Sequence, residues 1–172
     1  MYWFFEDKFE HSSVQIDVPE LDDKITKWIR KNIKRSWMNP KEYVDDVPHI
    51  SILYGLPDNS LHDVRRAIKG FNRSVKFVLG ELNYFDAPES DILYISVLGK
   101  DLHELHDLLS KLSQNDKYDK YVPHITIAYL KKGVSGQFAG LKPFVGVFHK
   151  NSVIVSKKDG SKEPVLLLDK AI

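Results

Sequence analysis

Apolar and polar residues alternate at period two over Ser13-Val14-Gln15-Ile16-Asp17-Val18, the signature of a strand with one buried face. Pro19 punctuates that run and the spacing then changes. Leu21, Ile25, Trp28, Ile29 and Ile33 recur at helical intervals, predicting an amphipathic helix from Glu20 to about Arg35 with Lys24, Lys27, Lys31 and Lys34 on a basic face. Trp37 to Asp46 reads as a polar connection feeding a β-rich run from Pro48 to Tyr54, which Gly55 and Pro57 close. The stripe Leu61, Val64 and Ile68 predicts a short helix over Ser60 to Lys69, with Ser60 as N-cap and Gly70 as its stop. Strands follow over Val75 to Tyr84 and Ile92 to Leu98, then a helix from Asp101 to Leu112 that turns Leu102, Leu105, Leu109 and Leu112 inward. Tyr121 to Leu130 reads as a strand and Lys131 to Gly140 as a glycine-bearing stretch. The last strands fall near Phe144 to Phe148, Val153 to Ser156 and Val165 to Leu168, the final pair joined at Asp159-Gly160. Helices scattered among strands without strict alternation predict an α+β chain with mainly antiparallel sheets.

One internal similarity stands out of this pattern. Val47-Pro48-His49-Ile50-Ser51-Ile52-Leu53-Tyr54 matches Val122-Pro123-His124-Ile125-Thr126-Ile127-Ala128-Tyr129 at six of eight positions, 75 residues further on. Strand parity puts His49 with Ser51, and His124 with Thr126, on one face, and Ile50, Ile52 and Tyr54 on the other. Each copy therefore predicts an apolar face against the core and a polar face presenting one imidazole beside one hydroxyl. Copies facing each other across a pseudo-twofold axis would line one cleft with two such pairs. A single His-x-Ser is a chance match in most sequences. Its repetition with matching flanks is not explained by packing, which needs neither imidazole nor hydroxyl.

Composition narrows the chemistry. The 172 residues are 42% hydrophobic, enough for one substantial core, and the length predicts a single domain over 1–172 or two small, intimately packed lobes. Lys plus Arg number 25 and Asp plus Glu 24, so no overall field draws the chain onto long nucleic acid. The absence of cysteine removes disulfides, thiolate nucleophiles and cysteine-held metals. No apolar run approaches the roughly 20 residues that span a bilayer. Charged residues interrupt the aromatic start before a signal peptide's apolar core forms, and the expectation is a cytoplasmic protein, without membrane contact.

Two histidines suit phosphodiester cleavage. One takes a proton from the attacking oxygen and the other gives one to the leaving oxygen, and an imidazole titrating near pH ~6.5 reaches both forms around neutrality. Two hydroxyls can hydrogen-bond the non-bridging oxygens where charge accumulates. The scheme calls for no metal and no cofactor.

At these residues the chain resembles the two-histidine (2H) phosphoesterase superfamily, whose members carry paired His-x-Ser/Thr motifs on strands of two similar lobes. The resemblance implies a LigT-like pseudo-twofold α+β fold, with two mainly antiparallel sheets around a central cleft and helices outside. It implies His49 and His124 as the acid and base, and Ser51 and Thr126 as phosphate-binding hydroxyls. His49 to Gly55 and Tyr121 to Gly133, with Gln137 to Gly140, are further similar to small phage-encoded members. Those include anti-CBASS nucleases, which destroy cyclic oligonucleotide alarm signals and would act in a host cell's cytoplasm. Enzymes of 2′,3′-cyclic phosphate or 2′,5′-linked RNA ends share the motif. Three readings stand: a monomeric, metal-independent phosphodiesterase of cyclic oligonucleotides, an RNA-end enzyme of the same chemistry, and a binder of cyclic nucleotides that does not cut them.

Other residues are weighed against plainer readings. Phe138, Trp37 and the Tyr2-Trp3-Phe4-Phe5 cluster are candidate stacking surfaces for a base, with core packing as the competing reading. Lys131, with Lys132, follows the second motif as a candidate phosphate contact or a solvated pair. His103 and His106 lie three apart on one helix, but no third ligand accompanies them and they are expected to be exposed. His11, His62 and His149 are assigned no role. Tyr54 and Tyr129 are expected in the core.

Overall fold

The first strand, β1 (Ser12–Asp17), is paired on both sides, by β2 (His49–Leu56) and by β7 (Ser152–Ser156), and β8 (Lys162–Leu166) completes a sheet in the order β2-β1-β7-β8. A second sheet has the order β5-β4-β3-β6, built from β3 (Val75–Asp86), β4 (Asp91–Leu98), β5 (His124–Leu130) and β6 (Val147–Lys150). All of these pairings are antiparallel. The structure, a computed structural model, describes residues 12–42, 44, 47–57, 60–112 and 120–168. The cluster at Tyr2 to Phe5 and His11 lie outside the described residues.

The helices fall close to the predicted positions, with instructive differences at their ends. The run from Glu20 to Arg35 is divided into a 3-10 turn (Pro19–Leu21), α1 (Asp22–Asn32) and a second 3-10 turn (Arg35–Trp37). Ile33 adopts φ −110 and ψ 119, which ends the helix and lets its side chain reach the core. α2 (Leu61–Ile68) buries Val64 and Ile68, but Ser60 makes no side-chain capping bond. Gly70 is not the left-handed stop either; that conformation falls to Asn72, with φ 36. α3 (Lys100–Ser110) buries Leu102, Leu105 and Leu109 and packs on β3 and β2.

One buried apolar cluster runs through both sheets, joining Val14, Ile16, Ile50 and Ile52 of the first to Phe77, Leu79, Ile95 and Ile125 of the second. The second sheet curls at a bulge between Leu79 and Leu82. Gly80 sits there because an added Cβ would stand 3.2 Å from the Ser96 carbonyl. Asp91 is buried at the start of β4 and accepts hydrogen bonds from the amides of Gly133 (3.0 Å) and Ser135 (3.2 Å), fixing the loop that leaves β5. The fold thus sets β2 and β5 at the inner edges of two sheets, side by side.

Candidate active site

The two motif strands are distorted at equivalent places. Along β1 and β2 the partners step from Gln15↔Ser51 to Val14↔Leu53, leaving Ile52 as the extra residue. Along β4 and β5 they step from Tyr94↔Thr126 to Leu93↔Ala128, leaving Ile127. A bulge resets the alternation of side chains. After it, Leu53 and Ala128 take the core positions, and Tyr54 and Tyr129 come round to the face that carries the histidines. Tyr54 is 37% exposed and receives a hydrogen bond from the Ser51 hydroxyl at 3.2 Å. The expectation that both tyrosines lie in the core is therefore corrected. Straight parity counting missed them, although a tyrosine kept in both copies beside the unmatched pair Leu53 and Ala128 was a usable signal.

The histidines are held alike. Nδ1 of His49 lies 2.9 Å from the Val47 carbonyl and Nδ1 of His124 lies 2.8 Å from the Val122 carbonyl, in each case two residues upstream. A carbonyl accepts, so both rings carry their proton on Nδ1 and present Nε2 as the basic nitrogen. Their surroundings differ. His124 is packed edge-on to Phe85 at 4.9 Å and against Tyr94 at 5.2 Å, with those two rings 4.3 Å apart. Burial among them pushes its pKa down to about 4, the Val122 carbonyl opposes this, and the nearby His49 lowers it further. His124 nonetheless keeps part of its surface open to solvent, being only half-buried. Neutral His124 at physiological pH follows from the desolvation. Tyr94, buried in the same wall, has its phenol pKa raised by burial.

The second half of the chain also reaches across to the first motif. The Tyr121 hydroxyl donates to the Ser51 carbonyl at 2.9 Å, and Nδ1 of His106 donates to the Ile52 carbonyl at 2.7 Å. The two rings stack, 4.2 Å apart and 5° from parallel. His106 is half-buried by this contact, which corrects the expectation of exposure, while His103 is exposed. Among the described residues no group of three or more metal-ligating side chains comes together.

The remaining candidates gather elsewhere. Phe138 is buried, edge-on to Trp28 (5.6 Å) and to Trp37 (6.3 Å), so it belongs to the core rather than to a base-stacking surface. Trp37 meets the Lys34 ammonium over its ring, and its carbonyl accepts from the Lys131 amide at 2.8 Å. Lys131 is exposed, and Lys132 is engaged by Asp86 and the Ala87 carbonyl. All of them sit at the Leu130 end of β5, about 20 Å along the strand from His124 at ~3.3 Å per residue. The structure does not bring them to the histidines. Two surface grooves of about 350 and 420 Å³, lined by Trp28 with Phe144 and by Ile68 with Val165, also lie away from both motifs. None of the chain's helices is long and apolar enough to cross a membrane among the described residues.

Comparison with known proteins returns one family model, described as the 2′-5′ RNA ligase superfamily, over residues 19–139. No curated protein matches significantly. Solved structures share the fold. TT0787 of Thermus thermophilus is 14% identical with a TM-score of 0.60, over 91% of this chain and 94% of that one. E. coli LigT complexed with 3′-AMP is 16% identical with a TM-score of 0.58, over 91% and 93%. Kluyveromyces marxianus Usb1 with uridine monophosphate is 8% identical with a TM-score of 0.59, over 92% and 98%.

Proposed function

The chain belongs to the 2′-5′ RNA ligase superfamily and is a two-histidine phosphodiesterase, and on that premise we propose that it cleaves a nucleotide phosphodiester bond without a metal, with His124 as base and His49 as acid. The observation that carries this is the matched pair of motifs: two histidines with the same Nδ1 hydrogen bond, each beside a hydroxyl, on adjacent edge strands. His124, kept neutral by its aromatic walls, takes the proton of an attacking water or ribose 2′-hydroxyl on Nε2. The acid step takes His49 as the imidazolium, its Nδ1–H kept on the Val47 carbonyl and the second proton passing from Nε2 to the leaving oxygen. Ser51 and Thr126 donate to the non-bridging oxygens as negative charge grows there. The single Ser51 proton, directed at Tyr54 in the free protein, turns to the phosphate, and the Tyr54 hydroxyl then donates to Ser51 Oγ and orients it.

The substrate class placed first is a cyclic oligonucleotide, as the resemblance to phage-encoded anti-CBASS nucleases implies. The near balance of 25 basic and 24 acidic residues supports a small substrate gripped locally rather than long nucleic acid. A second reading, processing of RNA ends with 2′,3′-cyclic phosphates or 2′,5′ linkages, is favoured by the fold shared with a LigT bound to 3′-AMP and a Usb1 bound to uridine monophosphate.

Chromatographic analysis after incubation with cyclic di- and trinucleotides, 2′,3′-cyclic mononucleotides and 2′,5′-linked oligomers, with and without a chelator, tests the proposal. Linear products from the cyclic compounds, unaffected by chelator, are expected. Cleavage confined to RNA-type ends selects the second reading. Ligand that binds but is recovered intact, or activity that disappears with chelator, contradicts the mechanism.

A further inference from the structure

The sheet face that carries His124 continues beyond it as an exposed apolar row. In β4 and β5, Ser96 pairs with His124, so the ladder carried two residues further sets Leu98 opposite Val122. Leu98 pairs with Val78 of β3, and Val78 pairs with Val147 of β6. All four side chains lie on the His124 face by strand parity. Leu98 is 60% exposed and Val147 57%, and Val122 and Val78 are also exposed. The opposite face of this sheet is the covered one, where α3 packs and Phe77, Leu79 and Val97 are buried. A contiguous apolar row on the solvent side of a sheet marks a binding surface. At its far edge the next pair on the same face is Lys76↔His149, both exposed.

We propose that this row is a nucleoside subsite: Val122, Leu98, Val78 and Val147 receive a base or sugar of a nucleotide beyond the scissile bond, and Lys76 with His149 binds a further phosphate. The proposal rests on the phosphodiesterase reading of the histidine pair and specifies its substrate as an oligonucleotide rather than a mononucleotide. Two features argue for a nucleotide as the occupant. The row is continuous with the second motif, beginning two residues from His124, and Val122 is the residue whose carbonyl holds the His124 ring. It ends on the Lys76 ammonium beside the His149 imidazole, a charge and a hydrogen-bonding ring that complement a phosphate. With strands about 4.8 Å apart and ~3.3 Å per residue, Lys76 stands about 16 Å from His124 on the sheet. A 2′,3′-cyclic mononucleotide at His124 does not extend that far. A chain with several linkages does.

The test compares kcat/KM on a 2′,3′-cyclic mononucleotide with that on a trinucleotide bearing the same cyclic end and on cyclic di- and trinucleotides, for the native protein, Leu98→Asp and Lys76→Glu. The native protein should prefer the longer substrates by about tenfold or more, within what burying part of one nucleoside on aliphatic side chains contributes. Both variants should lose that preference while keeping their mononucleotide rate. A native rate independent of length, or an equal loss on every substrate, overturns the subsite. So does a Leu98→Asp effect confined to oligomeric state, which assigns the row to a second copy. Calorimetric binding of the same compounds to His49→Ala keeps the two proposals separable. Length-dependent binding abolished by Leu98→Asp upholds the subsite even where the native protein cuts nothing and the phosphodiesterase reading fails.

Discussion

Tyr121 and Ser51 come from opposite halves of the chain, 70 residues apart, and are joined by a 2.9 Å hydrogen bond from the tyrosine hydroxyl to the serine carbonyl. Tyr121 lies three positions before the second histidine, and Ser51 two positions after the first. The bond therefore ties one motif to the other. The stacked ring of His106, donating to the next carbonyl at Ile52, doubles the tie. Relative placement of two proton-transfer groups governs rate, because small displacements from the reactive geometry are costly.

Tyr121→Phe keeps the stack and deletes the donor. It should cost about 1–2 kcal/mol in urea unfolding, the cost of an unpaired buried acceptor. On substrate it should lower kcat several-fold with little change in KM, because both motifs persist while losing their registration. A variant with native kcat but reduced stability would make the tie structural only.

The exposed position of Tyr54 separates it from a core tyrosine. Tyr54→Phe should leave stability within about 0.5 kcal/mol of native, as for other surface substitutions. It should nonetheless reduce kcat/KM several-fold, because Ser51 loses the hydroxyl that holds its Oγ while its proton is on the phosphate. Thermal unfolding and steady-state kinetics on the same preparation read both effects.

His124 gives the pH dependence a definite sign. Its folded pKa, about 4, lies below the ordinary 6.5. Between those values the unfolded chain binds a proton that the folded chain does not, so this group's contribution to stability falls as pH drops through that window and is constant above it. Urea midpoints measured from pH 7 to pH 4 should decline, and decline less in His124→Gln. The acid limb of kcat/KM should likewise fall near pH 4 rather than near 6.5, since the base works only when neutral.

Much of this arrangement was legible in the residues. The duplicated Pro-His-Ile-hydroxyl-Ile run located both motifs, and the period of apolar positions located nearly every strand and helix. What stayed hidden depends on the third dimension. The extra residues Ile52 and Ile127 are apolar like their neighbours, so nothing in the alternation announced the bulges that turn Tyr54 and Tyr129 outward. The docking of β7 against β1, which builds the first sheet from both ends of the chain, leaves no local trace. Phe138 looked available in a loop, but burial between Trp28 and Trp37 was the stronger demand. The apolar row from Val122 to Val147 is spread over four strands and becomes a surface only once their register is known.

The central claim is that both histidines move protons in one reaction. It is tested most directly by single-turnover cleavage of a cyclic trinucleotide, or of the best substrate the screen identifies, by His49→Ala and His124→Ala. Each variant should unfold cooperatively yet lose about 10²–10⁴ in rate, the contribution expected of one acid or base. A folded variant of either histidine that retains a rate within tenfold of native would contradict the account.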